Sequence, residues 1–168
     1  MKCELIFAHP KRYFTLMMSL SATIVLSAIF VEYALKHKAC ILCLYQRIPY
    51  IIIFAISALS LFSSRLYKIA FFMNFLALIA SAILASYHFG IEQGFFSETA
   101  NCLSKTPIVT NDTSDILKLI EDTAAVSCKN VSFTILGLSM AFWNIIASLT
   151  LLIFSVITYA KTKKATTN

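Results

Sequence analysis

Charged side chains are scarce in this sequence. They make up 13% of its 168 residues, against the roughly one quarter that a soluble domain uses to cover its surface. Water is therefore not its main solvent. Glycine and proline number three each, which leaves no material for a low-complexity linker, and no internal repeat is visible. The positive charge, a formal +6, is scattered beside apolar runs rather than gathered. That excludes nucleic acid as a partner and points to membrane topology. What remains is abundantly apolar: 59% of residues are hydrophobic and the mean hydropathy is +0.80. One membrane domain over residues 1–168 is the economical reading.

Four apolar stretches are long enough to cross a bilayer, so the expected fold is an all-α integral membrane protein with a four-transmembrane-helix bundle. The spans are placed at about residues 13–33, 42–62, 67–87 and 136–159. The first and third are each bracketed by tyrosines twenty residues apart, Tyr13 with Tyr33 and Tyr67 with Tyr87. On a helix that distance is about 30 Å, the thickness of the hydrocarbon core, and tyrosine favours the headgroup level. Trp143 lies near the start of the fourth. Lys11 and Arg12 before the first stretch raise the alternative of a signal peptide. The stretch is too long for a signal core and lacks a small-residue cleavage site, so a retained helix is expected.

Lysine and arginine set the expected orientation. Lys2, Lys11 and Arg12 precede the first span, Arg65 and Lys68 join the second to the third, and Lys161, Lys163 and Lys164 follow the fourth. The positive-inside rule puts these segments, and both termini, in the cytoplasm. The outer loops are then about residues 34–41 and 91–132. The longer one carries six acidic residues and only Lys105, Lys118 and Lys129; Lys36 and Lys38 in the shorter one argue weakly the other way. Within the long loop Ile116, Leu119 and Ile120 recur at helical spacing after a plausible N-cap at Ser114. This stripe suits either a membrane-surface helix or a helix packed on its own loop. Asn111-Asp112-Thr113 and Asn130-Val131-Ser132 match the glycosylation pattern, but chance matches are common and they carry no weight.

Five cysteines are present: Cys3, Cys40, Cys43, Cys102 and Cys128. In this topology Cys3 is cytoplasmic, an incidental reduced thiol, and the other four face an oxidising compartment. Cys40-Ile41-Leu42-Cys43 is a C-x-x-C at the outer mouth of the second span. Half of a zinc site is one reading, but the other pair is separated by twenty-five residues, the usual zinc spacing is missing, and no resident metal is expected. A static disulfide would close too small a loop to gain much entropy. A redox pair is the better reading. A helix beginning near Cys40 places residues 40, 43 and 47 on one face. Arg47 then sits in the first turns of a span, either as a snorkelling anchor or as the charge that stabilises a Cys43 thiolate or an anionic cofactor. Pro49 has a structural role near the start of the span. A Cys102–Cys128 link would contribute about 3 kcal/mol as a purely structural staple. With the first pair on the same side, disulfide exchange between the two is the competing reading.

Cys40-Ile-Leu-Cys43-Leu-Tyr-Gln46-Arg47, four spans, two cysteines in the long outer loop and the segment Leu136-Gly-Leu-Ser-Met-Ala-Phe-Trp143 together resemble the disulfide bond formation protein B (DsbB) family of bacterial inner-membrane thiol oxidases. The likeness covers nearly the whole chain. In the last segment the family usually has proline where this chain has Ala141, a departure that bears on the local bend and touches no redox residue. The resemblance implies disulfide pairs Cys40–Cys43 and Cys102–Cys128, and a periplasmic, thioredoxin-like (DsbA-like) oxidase as partner. That partner would attack at Cys102; the released Cys128 would exchange with the first pair, Cys43 would pass electrons to a membrane quinone (ubiquinone or menaquinone), and Cys40 would resolve. Arg47 would hold the quinone, with Gln46 assisting. The logic is thermodynamic: reoxidising a strongly oxidising partner by thiol exchange alone is uphill, and a lipid-soluble quinone supplies the driving force.

His88, near the outer end of the third span, is either an interfacial residue or a further quinone contact. Glu32, Asn74 and Asn144 are expected to serve packing or solvation. Two other classes compete with the oxidase. One is a non-enzymatic four-helix protein whose outer loops are stapled by disulfides. The other is a vitamin K epoxide reductase-like enzyme, disfavoured because its C-x-x-C normally sits late in the chain.

Overall fold

The computed structural model describes residues 10–97, 127–129, 131 and 133–167, without the side chains of residues 64 and 163–167. Cys3, Cys102 with its expected link to Cys128, the stripe from Ser114 to Ile120 and the first glycosylation match fall outside the described residues, as do Asn130 and Ser132 of the second.

Among the described residues there are four long helices: α1 (Pro10–Tyr33), α2 (Ile41–Phe62), α3 (Tyr67–Glu92) and α4 (Met140–Thr167). All four are long and apolar enough to cross a membrane. A 3₁₀ turn at Ser64–Leu66 links α2 to α3, and a two-residue-per-strand hairpin, β1 (Thr134–Ile135) with β2 (Leu138–Ser139), precedes α4. The polarity is inverted relative to a water-soluble bundle. Ser21, Ser57, Ser60, Asn74, Ser81, Ser148 and Ser155 are buried, whereas Leu26, Phe62, Ile69, Ile83 and Ile153 are exposed. Small polar residues let helices approach and hydrogen-bond where lipid gives no hydrophobic drive, as Asn74 does by donating to Ser57 Oγ at 3.0 Å. The structure is that of a multi-pass membrane protein.

Helix α1 packs on α2, α2 on α3 and α3 on α4, while α1 and α4 meet only lightly. They meet at one end. There Tyr13 hydrogen-bonds Ser155 at 2.9 Å and its ring lies 4.8 Å from that of Phe71 and 5.8 Å from that of Phe154. Among the described residues no comparable plug joins them at the other end, where the cysteine pair lies.

Helix ends depart from the expected spans for local reasons. α1 is described from Pro10 onward, three residues before the expected Tyr13. α3 runs past Tyr87 to Glu92, so Ile91, expected to open the long loop, is buried in the helix. It stops where Gly94 takes φ +79°, with Gly94 N–H donating to Ile91 and Phe95 N–H to Gly90, a Schellman cap. α4 begins at Met140 rather than Leu136, because Leu136 and Gly137 both have positive φ and form the turn of the hairpin. Ser139 Oγ accepts from Phe142 N–H at 3.2 Å and caps α4. Ala141 is buried in this first turn.

Candidate active site

Cys40 is the N-cap of α2, with its sulfur accepting from the Cys43 amide at 3.3 Å. The C-x-x-C therefore closes on itself across the first helical turn, and the two sulfurs lie 3.1 Å apart as thiols, Cys40 donating to Cys43. That bond, and after it burial, pushes the Cys40 thiol up to about 12, against the opposing pull of His88. Cys40 thus keeps its proton, and Cys43 is the acceptor of the pair.

Five residues on three helices continue from the sulfurs into the bundle. His88 Nε2 lies 3.4 Å from Cys40 Sγ. Gln46 Nε2 lies 2.9 Å from His88 Nδ1, Gln46 Oε1 accepts from Asn144 Nδ2 at 2.7 Å, and the Tyr50 hydroxyl donates to Asn144 Oδ1. Glu92, one turn beyond His88, comes within 3.7 Å of Nε2. These groups are positioned by helical spacing: Cys43, Gln46, Arg47 and Tyr50 share one face of α2, and His88 and Glu92 one face of α3.

Beside them, between α1 and α4, lies a cavity of about 470 Å³. Ile24, Val25, Val31, Trp143 and Ala147 make its apolar walls; Cys40, Cys43, Arg47 and His88 stand at its polar end. Arg47 Nη1 is 2.5 Å from Glu32 Oε2, yet no N–H is aligned on that oxygen, so the contact is a charge pair rather than a formed hydrogen bond. Arg47 Nη2 donates to the Ala28 carbonyl at 3.4 Å. Both contacts hold the guanidinium against α1.

The residues expected from sequence are thus brought together: Cys40, Cys43, Gln46, Arg47 and His88 form one cluster. Cys128 joins them, buried against Cys40, Leu42 and Ile91 in a small hydrophobic core, and its backbone meets His88. Four participants were missed. The sequence reads Glu32 and Asn144 as packing or solvation and gives Tyr50 and Glu92 no role. Their signals were present: Tyr50 is one turn beyond Arg47 on its face, and Glu92 is four residues after His88.

A profile of the family described as disulfide bond formation protein DsbB matches residues 10–158. The uncharacterized protein RP370 of Rickettsia prowazekii (strain Madrid E) is 30% identical over 141 residues, 82% of this chain and 82% of its own length. The matched region holds α1 to α3, most of α4 and the cluster around Cys40 and Cys43, and by this match the chain belongs to the DsbB family of membrane proteins that act in disulfide bond formation.

Proposed function

We propose that this chain, as a single membrane domain, is a quinone-dependent thiol oxidase that regenerates a thioredoxin-like, DsbA-like partner in the periplasm. The observation that carries the reading is the cavity whose polar end is formed by the C-x-x-C itself. The family membership supports an oxidoreductase of disulfide formation. The lysine and arginine distribution supports cytoplasmic termini, and hence cysteines on the periplasmic side of the inner membrane.

The electrons run through two exchanges. A thiolate of the reduced partner attacks Cys102 in a Cys102–Cys128 disulfide and displaces Cys128 as thiolate; the partner's second thiol resolves the mixed disulfide, so the partner leaves oxidised. Cys128 then attacks Cys40 of the Cys40–Cys43 disulfide and releases Cys43, and Cys102 resolves in turn. The loop disulfide is restored and Cys40 and Cys43 hold the electron pair. Burial of Cys128 in the same small core as Cys40 supports this direct exchange.

The cavity fits a quinone ring and the first part of an isoprenoid tail: apolar walls, an open side toward lipid between α1 and α4, and hydrogen-bond donors at one end. Bound quinone supplies the terminal acceptor for two electrons and two protons. Arg47 and His88 hold and orient the head group, Gln46 fixes the His88 ring, and the apolar walls exclude water. Cys43 would be the sulfur from which the electron pair leaves, and Cys40, protonated at rest, would resolve by attacking Cys43 as its own proton is lost, one of the two protons taken up by the acceptor.

Purified protein is mixed with ubiquinone or menaquinone and a reduced thioredoxin-like oxidase. Quinone absorbance is expected to fall at the rate the partner is oxidised. No quinone reduction with all four of these cysteines intact would overturn the reading.

A further inference from the structure

Three metal-ligating side chains converge where α2 meets α3, and a fourth, Glu92, stands one turn beyond His88, from where its side chain must swing in to complete a set of four. Cys40 Sγ, Cys43 Sγ and a ring nitrogen of His88 all lie within 4.8 Å of one another. Glu92 brings a carboxylate oxygen to 3.7 Å from His88 Nε2. Glu92 is one-twentieth exposed, and its Oε2 has no hydrogen-bond partner among the described residues. A buried carboxylate oxygen left unmatched is costly and marks a place where positive charge is missing.

We propose that Cys40, Cys43, His88 and Glu92 bind one divalent cation of borderline softness, Zn(II) above all, when the cysteine pair is reduced. Two thiolates, one imidazole and one carboxylate form the mixed set that a d¹⁰ ion accepts in a tetrahedron. With Zn–S of about 2.3 Å and Zn–N or Zn–O of about 2.0 Å, neighbouring ligands stand about 3.3–3.8 Å apart. His88 already stands 3.4 Å from Cys40 and 3.7 Å from Glu92. The sulfurs, 3.1 Å apart, need to part by about 0.7 Å to reach the separation in a zinc dithiolate. Side-chain rotation supplies this once the thiol proton between them is lost.

The surroundings suit the ion. A metal-bound histidine donates its other ring N–H to an acceptor that fixes its orientation. Gln46 stands 2.9 Å from Nδ1; rotating its amide, with that of Asn144, presents an oxygen to Nδ1 while the Tyr50 hydroxyl turns to accept. The spacing that argued against a four-cysteine zinc site does not apply, because the remaining ligands come from α3.

Binding is gated by redox state. Two thiols lose two protons to solvent and nothing is oxidised or reduced. In the Cys40–Cys43 disulfide neither sulfur has charge to offer, so the ion is released. A bound ion therefore holds the pair reduced and arrests electron transfer. That arrest rests on the oxidase reading; binding of the ion does not.

The full-length protein in detergent, reduced with a phosphine that is then removed, is titrated with Co(II) as an optical probe and back-titrated with Zn(II). One Co(II) per chain is expected, with thiolate-to-cobalt charge-transfer absorption and tetrahedral visible bands, both erased by Zn(II). The Cys102→Ser/Cys128→Ser double variant keeps the signal, and protein with the Cys40–Cys43 disulfide lacks it. Glu92→Gln and His88→Ala each weaken binding by about 10–100-fold. No charge-transfer band in reduced protein overturns the proposal, as does unchanged affinity in either variant. Should either variant not fold, X-ray absorption of the wild-type zinc form decides: two sulfur and two light ligands support the site, and any other count overturns it. No quinone enters these measurements, so their failure leaves the oxidase reading standing, and the converse holds too.

Discussion

Gln46 Nε2 and His88 Nδ1 lie 2.9 Å apart and join α2 to α3 directly beneath the cysteine pair. The direction of this bond follows from its neighbours. Asn144 Nδ2 donates to Gln46 Oε1, so the other end of the Gln46 amide is its NH₂ and must donate to Nδ1. A neutral His88 then carries its proton on Nε2, facing Cys40 and Glu92. In this arrangement one glutamine thus sets which histidine nitrogen carries the proton.

Replacing Gln46 by leucine strands Asn144 Nδ2 and His88 Nδ1 in a buried setting. A loss of about 1–3 kcal/mol is expected, read as a lower unfolding midpoint in detergent, together with slower quinone reduction. Unchanged rate and midpoint would remove Gln46 from the site.

Cys43→Ser is expected to bring quinone reduction to background while helical content and elution volume stay as in wild type. The sulfur lies at the first turn of α2, and a hydroxyl there preserves the local hydrogen bonding. The stapled-bundle alternative makes the opposite forecast: lower stability and no quinone-dependent change in the redox state of Cys40 and Cys43.

The Arg47–Glu32 pair is 16% and 23% exposed, between the surface and buried cases. Glu32→Gln should therefore cost about 1–2 kcal/mol. Arg47→Met should raise the quinone KM by about tenfold or more, because the remaining apolar lining binds the tail but no longer the head group. Denaturation in detergent checks the first and steady-state kinetics over a quinone series the second.

The Cys40 thiol, pushed up to about 12 from 9.0, gives a pH dependence whose sign is fixed. The folded, reduced chain holds this proton more tightly than the unfolded chain does. Its contribution to stability is whole below pH 9 and is lost as pH rises from about 9 toward 12. Alkylation of the reduced protein with iodoacetamide, followed by peptide mapping, should label Cys43 first and leave Cys40 largely unmodified at pH 9. Equal labelling of the two at pH 9 would contradict the asymmetry.

Tyr13→Phe separates the two ends of the bundle. It removes the hydrogen bond to Ser155 at the closed end and should cost about 0.5–1.5 kcal/mol with quinone reduction unchanged. Loss of activity in a folded variant would mean that the aromatic end is coupled to the cavity.

Much of this was legible in the amino-acid sequence. Apolar runs of membrane length are a one-dimensional signal, so the four helices could be read without structure. The same holds for Cys40, Cys43 and Arg47, three and four residues apart and therefore on one helix face. Helix ends were less legible, because tyrosine marks a headgroup level and not a backbone stop. The stop of α3 is made by Gly94, seven residues beyond Tyr87, and the start of α4 by a hairpin turn at Leu136 and Gly137.

The sequence by itself determined that this is a multi-pass membrane protein with four stretches long and apolar enough to cross, and that it carries a C-x-x-C backed by an arginine at the mouth of its second helix. Hydropathy and helical period are local properties, and they suffice for that. Only the tertiary structure decided what the pair faces. Glu32, Asn144 and Glu92 are respectively eight residues before, and about a hundred and about fifty residues after, the C-x-x-C, and each looks alone like a polar residue at a span end. Their roles arise because α1 and α4 part where α2 and α3 stay packed, opening a cavity that places side chains from four helices around two sulfurs.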